Sequence, residues 1–383
     1  MGRTALAAHT PLLLLLGLSL GVGCAQLLGW DDLQVGASDA TTDATSEGAV
    51  DTGAADAETG ASSARWPDRP PGATTPGGGK TLWWVAKRIY FGTLNHDGAA
   101  TPEAWREWGY DLDGRCTGAG DLSGPTTCKA VSDPSVLLDG DLCRDNNFGA
   151  RFLGLLVAGT KSSFESDTVT SLLGGSATWV LKLEDVGEGD DDPYVPGAFY
   201  VTTSTDTPPK FDGTETRDIL ADSVIGGDLG TPVTRFEKGY LRGGTWVSGE
   251  LGPATLRIPF GGKGSAPLGF SAMVMTTRLS TDRAKAGGGV LAGVMSVPAF
   301  EAFLSPIAAD AKICPGEPLY KSIVGAIARY PDLSLGAPSL QDPTRTCDGV
   351  SMGLGFELAP ILPPTRVVTL PPPASNCGDA GTD

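Results

Sequence analysis

The chain has 383 residues, room for one large folded unit or two modest ones. Its 28 basic against 45 acidic residues give a formal charge of −17, which excludes a surface built to track a nucleic-acid backbone. Glycine (54) and proline (29) are abundant enough to imply a loop-rich fold joined to an unfolded stretch, and with only His9 and His96 as imidazoles, multi-histidine metal sites are excluded.

At the front, Arg3, the apolar run PLLLLLGLSL over 11–20 and small residues at 21–23 read as a signal peptide spanning 1–23. The run is shorter than the ~20 residues that cross a bilayer. Small residues directly ahead of Cys24 resemble a bacterial lipobox, with Gly21 where that pattern prefers leucine. The resemblance implies cleavage before Cys24, acylation of its sulfur and amino group, and membrane lipid as a partner; several acyl chains together make a stable anchor. Ala25, in place of the aspartate linked to inner-membrane retention, points to an outer-membrane lipoprotein of the cell envelope. Residues 24–80 then read as a disordered tether: nine acidic and three basic residues over 31–80, with almost no large aliphatics after Val35, cannot bury enough surface to fold. The folded part is expected over 81–370 as a single β-rich domain, followed by a tail over 371–383.

Six cysteines remain besides Cys24: Cys116, Cys128, Cys143, Cys314, Cys347 and Cys377. An even number in an exported chain suits a disulfide framework, and the lack of any Cys-x-x-Cys pair argues against zinc. Six cysteines allow fifteen pairings. Short loops favour Cys116–Cys128 and Cys314–Cys347, leaving Cys143–Cys377.

Within the domain, strand composition bounded by Gly, Pro or Asp recurs over 178–186, 197–204, 239–251, 254–260, 268–279, 289–297 and 350–358. In the first of these, Trp179, Leu181 and Leu183 alternate with Val180, Lys182 and Glu184, giving a dry and a wetter face. Helical signals are fewer: Thr101-Pro102 ahead of EAWREWG, Pro298 ahead of AFEAFL, and Leu319, Ile323 and Ile327 at helical spacing until Pro331. The expected fold is mainly β, an antiparallel β-sandwich or jelly-roll-like domain with a few peripheral helices.

WREWGYDLDGRCT at 105–117, Cys128, and LLDGDLCRDNNFG at 137–149 together resemble a group of secreted lipoproteins of predatory soil bacteria. Their patterns are close to W-x-x-x-G-x-x-L-D-x-x-C-T and D-G-x-x-x-x-D-N-x-F-G. The CAQLLGWDDL stretch after Cys24 and the late VLAGVM strand are similar too. The resemblance implies a Cys116–Cys128 pairing and brings no established activity with it.

Chemistry is sparse. Gly349-Val350-Ser351-Met352-Gly353 matches G-x-S-x-G, but no histidine follows, and GFELAP after it reads as strand, so glycines in a twisted strand are the better reading. His96 in N-H-D-G reads as a turn. Gly287 to Ala292 fits G-x-G-x-x-A with strand on both sides, which excludes a dinucleotide site. Acidic loops at Asp111 and Asp113, at Asp139, Asp141 and Asp145, and over 184–192 offer hard oxygen ligands. They read first as solvated turns; if a metal binds, Ca²⁺ at Asp139, Asp141 and Asp145 is the expected site. Trp105 and Trp108, three residues apart, are the candidates for stacking on a sugar ring, against a core role at the same spacing. The functional expectation is a lipid-anchored envelope protein that binds a surface component such as glycan without catalysis. The alternatives are a secreted polysaccharide hydrolase using Asp/Glu and a purely structural envelope protein.

Overall fold

A computed structural model describes residues 64–117, 126–154, 164–260, 264–310, 312–336, 342–371 and 377. The chain divides into two compact units, Met1–Thr59 and Gly60–Asp383, and every described residue belongs to the second. The signal peptide, Cys24 and the start of the tether lie outside the described residues.

The unit is mainly β, as expected, and is built on one curled antiparallel sheet. Its strands are β1 (Lys80–Tyr90), β2 (Trp179–Val186), β3 (Gly197–Val201), β5 (Thr234–Phe236), β6 (Tyr240–Arg242), β7 (Thr245–Val247), β8 (Gly252–Phe260), β9 (Gly264–Leu279), β10 (Ala286–Ser296) and β11 (Gly349–Pro360). A separate parallel pair joins β4 (Ile219–Leu220) to β12 (Val367–Val368). The sheet order is β5-β3-β2-β1-β11-β10-β9-β7-β6, with β8 also paired to β9. Beyond β6, Leu241 and Asp192 exchange backbone hydrogen bonds of 2.7 and 2.8 Å just ahead of β3, so the sheet curls until its two ends meet. Its opposite walls serve as the two layers of a sandwich.

Side-chain alternation fills the inside. Trp84, Trp179, Leu181, Leu183, Phe199, Trp246, Leu291, Met352, Leu354 and Phe356 form one continuous core. The β6–β7 hairpin closes through Gly243 and Gly244, whose φ values of +54° and +74° match the tight turn that favours glycine at both central positions. The first strand carried no period-2 signal because Trp84, Val85 and Ala86 are buried in succession and the register shifts between Ala86 and Arg88. Helices α1 (Phe164–Leu173), α2 (Val297–Asp310) and α3 (Pro318–Ile327) sit at the periphery, and Phe300, Leu304 and Ile327 reach the core. The Thr101-Pro102 signal yields only one turn of 3-10 helix, Ala104–Glu107.

Two expectations are corrected. The disulfides are Cys116–Cys143, Cys128–Cys347 and Cys314–Cys377, with Cα separations of 4.6, 5.2 and 5.4 Å. Short sequence loops lose to strand-like contacts between distant segments. Lys129 donates to Arg345 O at 2.8 Å and accepts from Cys347 N at 2.9 Å, which sets Cys128 beside Cys347. Asp139 N donates to Thr117 O at 3.0 Å, which sets Cys116 opposite Cys143. Residues expected within a tether reaching to 80 are instead held against the domain: Ala64 N donates to Leu142 O at 2.7 Å, and the amides of Gly77 and Gly79 donate to the Asp185 carboxylate. The tail is stapled to the linker between α2 and α3 through Cys377.

Candidate functional site

The outer face of β10 and β11 is covered by loops from 104–117, 126–147 and 332–336, and the residues singled out in the sequence meet there. The glycines of the G-x-S-x-G strand are shaped by this cover. A Cβ at Gly355 would lie 2.0 Å from the Trp108 ring and one at Gly353 would lie 2.6 Å from Trp108 O, so the strand must be bare where Trp108 lies down on it. Trp108 stacks on Tyr90 at 5.0 Å, lies 4.0 Å from the His96 ring, and donates from Nε1 to Leu94 O at 2.8 Å. It is 1 % exposed, which removes it from the sugar-stacking candidates: its apolar area belongs to the packing. Trp105 is half-buried, and the Arg106 guanidinium lies over its ring at 5.0 Å.

The two motifs at 105–117 and 137–149 interlock. Asn146 accepts from Gly353 N at 2.9 Å and donates to Trp105 O at 3.0 Å, while Asn147 donates from its amide to Ser351 Oγ at 2.7 Å. Ser351 in turn donates from Oγ to Asp332 at 2.5 Å. Ser351 is fully buried within β11, in keeping with the strand reading of its motif.

Beneath these contacts lies a cluster of buried carboxylates. Asp111, Asp113, Asp139, Asp145 and Asp332 are 2–7 % exposed. Asp145 accepts from Leu112 N and Asp111 from Gly114 N, each at 2.6 Å. Asp113 accepts from Arg115 N at 2.8 Å and Thr127 Oγ1 at 2.9 Å, and Asp139 accepts from Thr117 N at 2.6 Å. Burial pushes the Asp113 carboxyl up to about 6, against the pull of its Thr127 and Arg115 hydrogen bonds. Asp139 rises to about 8 through burial and the charges of Asp113, Asp332 and Asp111. Asp332 rises to about 7 through burial in spite of its Ser351 hydrogen bonds, and burial together with Asp113 and Asp139 holds Asp145 well above the ordinary carboxylate range.

Such a group can be neutralised by protons shared among the carboxylates or by a cation. Asp111, Asp113 and Asp145 each offer one oxygen, all within 4.8 Å of one another, an all-oxygen set of the kind that suits Ca²⁺. Of the expected ligands Asp139, Asp141 and Asp145, only Asp145 stands in this three-oxygen set; Asp139 lies buried in the wider carboxylate cluster, and Asp141 is exposed and bonds through its carbonyl to Arg144. Asp332 was not legible, since a single aspartate between Pro331 and Leu333 looks like a helix-stop residue. The 184–192 loop goes to ion pairs instead, with Glu184 on Lys182 and Arg235 at 2.5 Å and Asp191 on Arg242 at 2.8 Å.

A second feature lies where β5 approaches β8. An open cleft of about 380 Å³ has Arg235, Glu237, Lys238, Ser248 and Glu250 around a floor of Phe236 and Met273. Comparison with known proteins returns no matching family model, no matching curated protein and no matching solved structure.

Proposed function

We propose that this protein is an exported lipoprotein of the cell envelope, anchored through Cys24, whose stapled β domain binds a surface component such as glycan without chemistry of its own. The observation that carries the reading is the pairing of Cys116, Cys128, Cys143, Cys314, Cys347 and Cys377 in three disulfides, one spanning 219 residues. Such bonds persist in an oxidising compartment and not in a reducing cytosol. The lipobox-like run ahead of Cys24 supports the anchor, and the resemblance to secreted lipoproteins agrees with it. Charged and hydroxyl groups around an apolar floor, as in the cleft between β5 and β8, suit a hydrophilic ligand with a hydrophobic face, and that combination supports a glycan.

Two measurements test this. Labelled palmitate is incorporated into the wild-type chain and not into Cys24→Ser, which is released from the membrane fraction. The purified domain is retained on immobilised cell-wall or plant glycans and releases no reducing ends from them. Turnover abolished by one Asp→Asn change would establish the hydrolase instead, and neither retention nor turnover would leave a structural role.

A further inference from the structure

The segment just ahead of β1 reads Ala64-Arg65-Trp66-Pro67-Asp68-Arg69-Pro70-Pro71-Gly72, with prolines three residues apart. It belongs to no helix or strand, yet it is fastened to the domain at Trp66, Pro67, Arg69 and Pro70, with Arg65 and Asp68 left exposed. Trp66 meets Tyr110 edge to face at 5.7 Å. Pro67 O accepts from Tyr240 Oη at 2.6 Å. The Arg69 guanidinium lies 4.6 Å over the Tyr240 ring and donates to Pro193 O and Lys238 O, each at 2.5 Å. Pro70 is buried, and Trp66 packs with Leu251 against the apolar cluster of Tyr240, Val247 and Val274. The receiving tyrosines are fixed independently of the segment: Tyr110 Oη is bonded to Thr276 Oγ1 at 2.7 Å, and Tyr240 sits in β6 opposite Val247.

Two tyrosines that hold a chain with P-x-x-P spacing, one of them donating to a proline carbonyl, and an arginine fitted against a tyrosine face are the elements by which aromatic grooves bind polyproline-II peptides. Proline lowers the ordering cost of such a ligand, and a missing N–H leaves fewer backbone donors to satisfy. We propose that Tyr110, Tyr240 and Leu251 form a peptide-recognition groove for extended proline-rich segments of W-P-x-R-P-P type, and that 64–71 is its built-in, displaceable occupant. A partner carrying such a segment takes the groove by replacing the chain's own copy. The inference does not depend on the anchor or on the glycan reading.

The test uses the full chain and a labelled synthetic peptide of residues 64–73, followed by fluorescence anisotropy. In Trp66→Ser/Arg69→Ser the built-in occupant is weakened at two half-exposed positions, and the peptide binds saturably. The wild-type chain binds it about ten-fold or more weakly, because its own segment competes at high effective concentration. Adding Tyr240→Phe, which keeps the ring in the core and removes the bond to Pro67, weakens peptide binding to the loosened chain several-fold. In the otherwise wild-type chain, Arg69→Ser alone loosens the built-in segment without altering the groove and raises peptide binding, so a doubly substituted chain that fails to fold still leaves the proposal testable. A folded loosened chain that ignores the peptide, equal binding of a scrambled peptide, or peptide binding to the loosened chain that is indifferent to Tyr240→Phe overturns it.

Discussion

Replacing Asp139 by asparagine tests whether the buried carboxylates make the fold sensitive to alkali. Asp139, Asp332 and Asp113 have native pKa values near 8, 7 and 6, all above the 3.8 of a free aspartate, so the native state holds protons more tightly than the unfolded chain. Their stabilisation is complete below about pH 4 and is lost as pH rises through the native values. At 1.36 kcal/mol per pKa unit, Asp139 alone accounts for on the order of 5 kcal/mol, a large share of the ~5–15 kcal/mol that holds an ordinary domain together. The three contributions do not add, since each raises the next. Urea unfolding of the wild-type domain between pH 5 and pH 8.5 should lose several kcal/mol. Glu184 and Glu357, whose carboxyls are held low, titrate below this window and do not mask it. Asp139→Asn keeps an oxygen for Thr117 N, flattens the profile and is the more stable protein at pH 8.5. A flat or rising wild-type profile, or one that Asp139→Asn leaves unchanged, refutes the reasoning. Repeating the titration with calcium chloride separates the two ways of neutralising the cluster. A profile displaced by calcium, and no longer displaced in Asp113→Asn, means that the ion enters; an unchanged profile means that protons suffice.

Three further outcomes are expected. Gly355→Ala forces Trp108 off β11 and costs about 1–3 kcal/mol, read as a fall in the urea midpoint with loss of the near-ultraviolet tryptophan signal. Arg217→Met leaves stability unchanged or raises it by about 1–3 kcal/mol, because the guanidinium is buried, none of its three nitrogens is hydrogen-bonded, and its carboxylate neighbour Glu215 stands 3.9 Å away. Removing disulfides pairwise to serine should cost more for Cys128–Cys347, with 219 residues between its ends, than for Cys314–Cys377, with 63. On chain entropy the losses are about 5 and about 4 kcal/mol, and the reverse order by thermal unfolding would show that strain or local packing governs them.

The sequence made the sheet legible where one face is wetter than the other. Lys182 and Glu184 mark the outer side of β2, and alternation alone identified Trp179, Leu181 and Leu183 as core. It failed at β1, the strand between β2 and β11, because both its faces are covered, Trp84 lying in the main core and Val85 in a second cluster with Tyr200, Ile219 and Val224, so that Val85 is as dry as Trp84. It failed at α1 for a different reason: FESDTVTSLL has β-branched and polar residues and forms a helix by packing beside β1, which no local pattern records. At the carboxylate cluster, acidic loops were visible, and Asp139 and Asp145 were chosen with Asp141. Spacing could not show that Leu142 and Cys143 adopt positive φ, which turns the chain between Asp141 and Asp145 and leaves Asp141 outside. The cysteine pairing was illegible for the same reason, since strand neighbours in space are not neighbours in sequence.

That separation has a bearing on biogenesis. Trp84 near the start of the sheet pairs with Pro360 near its end, and the bond from Cys128 closes on a residue well into the last third of the chain. A polypeptide that emerges from its amino end therefore presents β1 long before the strand that must lie beside it. Until the later strand emerges, an edge rich in tryptophan and valine stands open, and contacts of such long range are slow to assemble. Shielding of that edge until β11 has been made, and oxidation of Cys128 only once Cys347 has emerged, are what this connectivity demands of the folding chain.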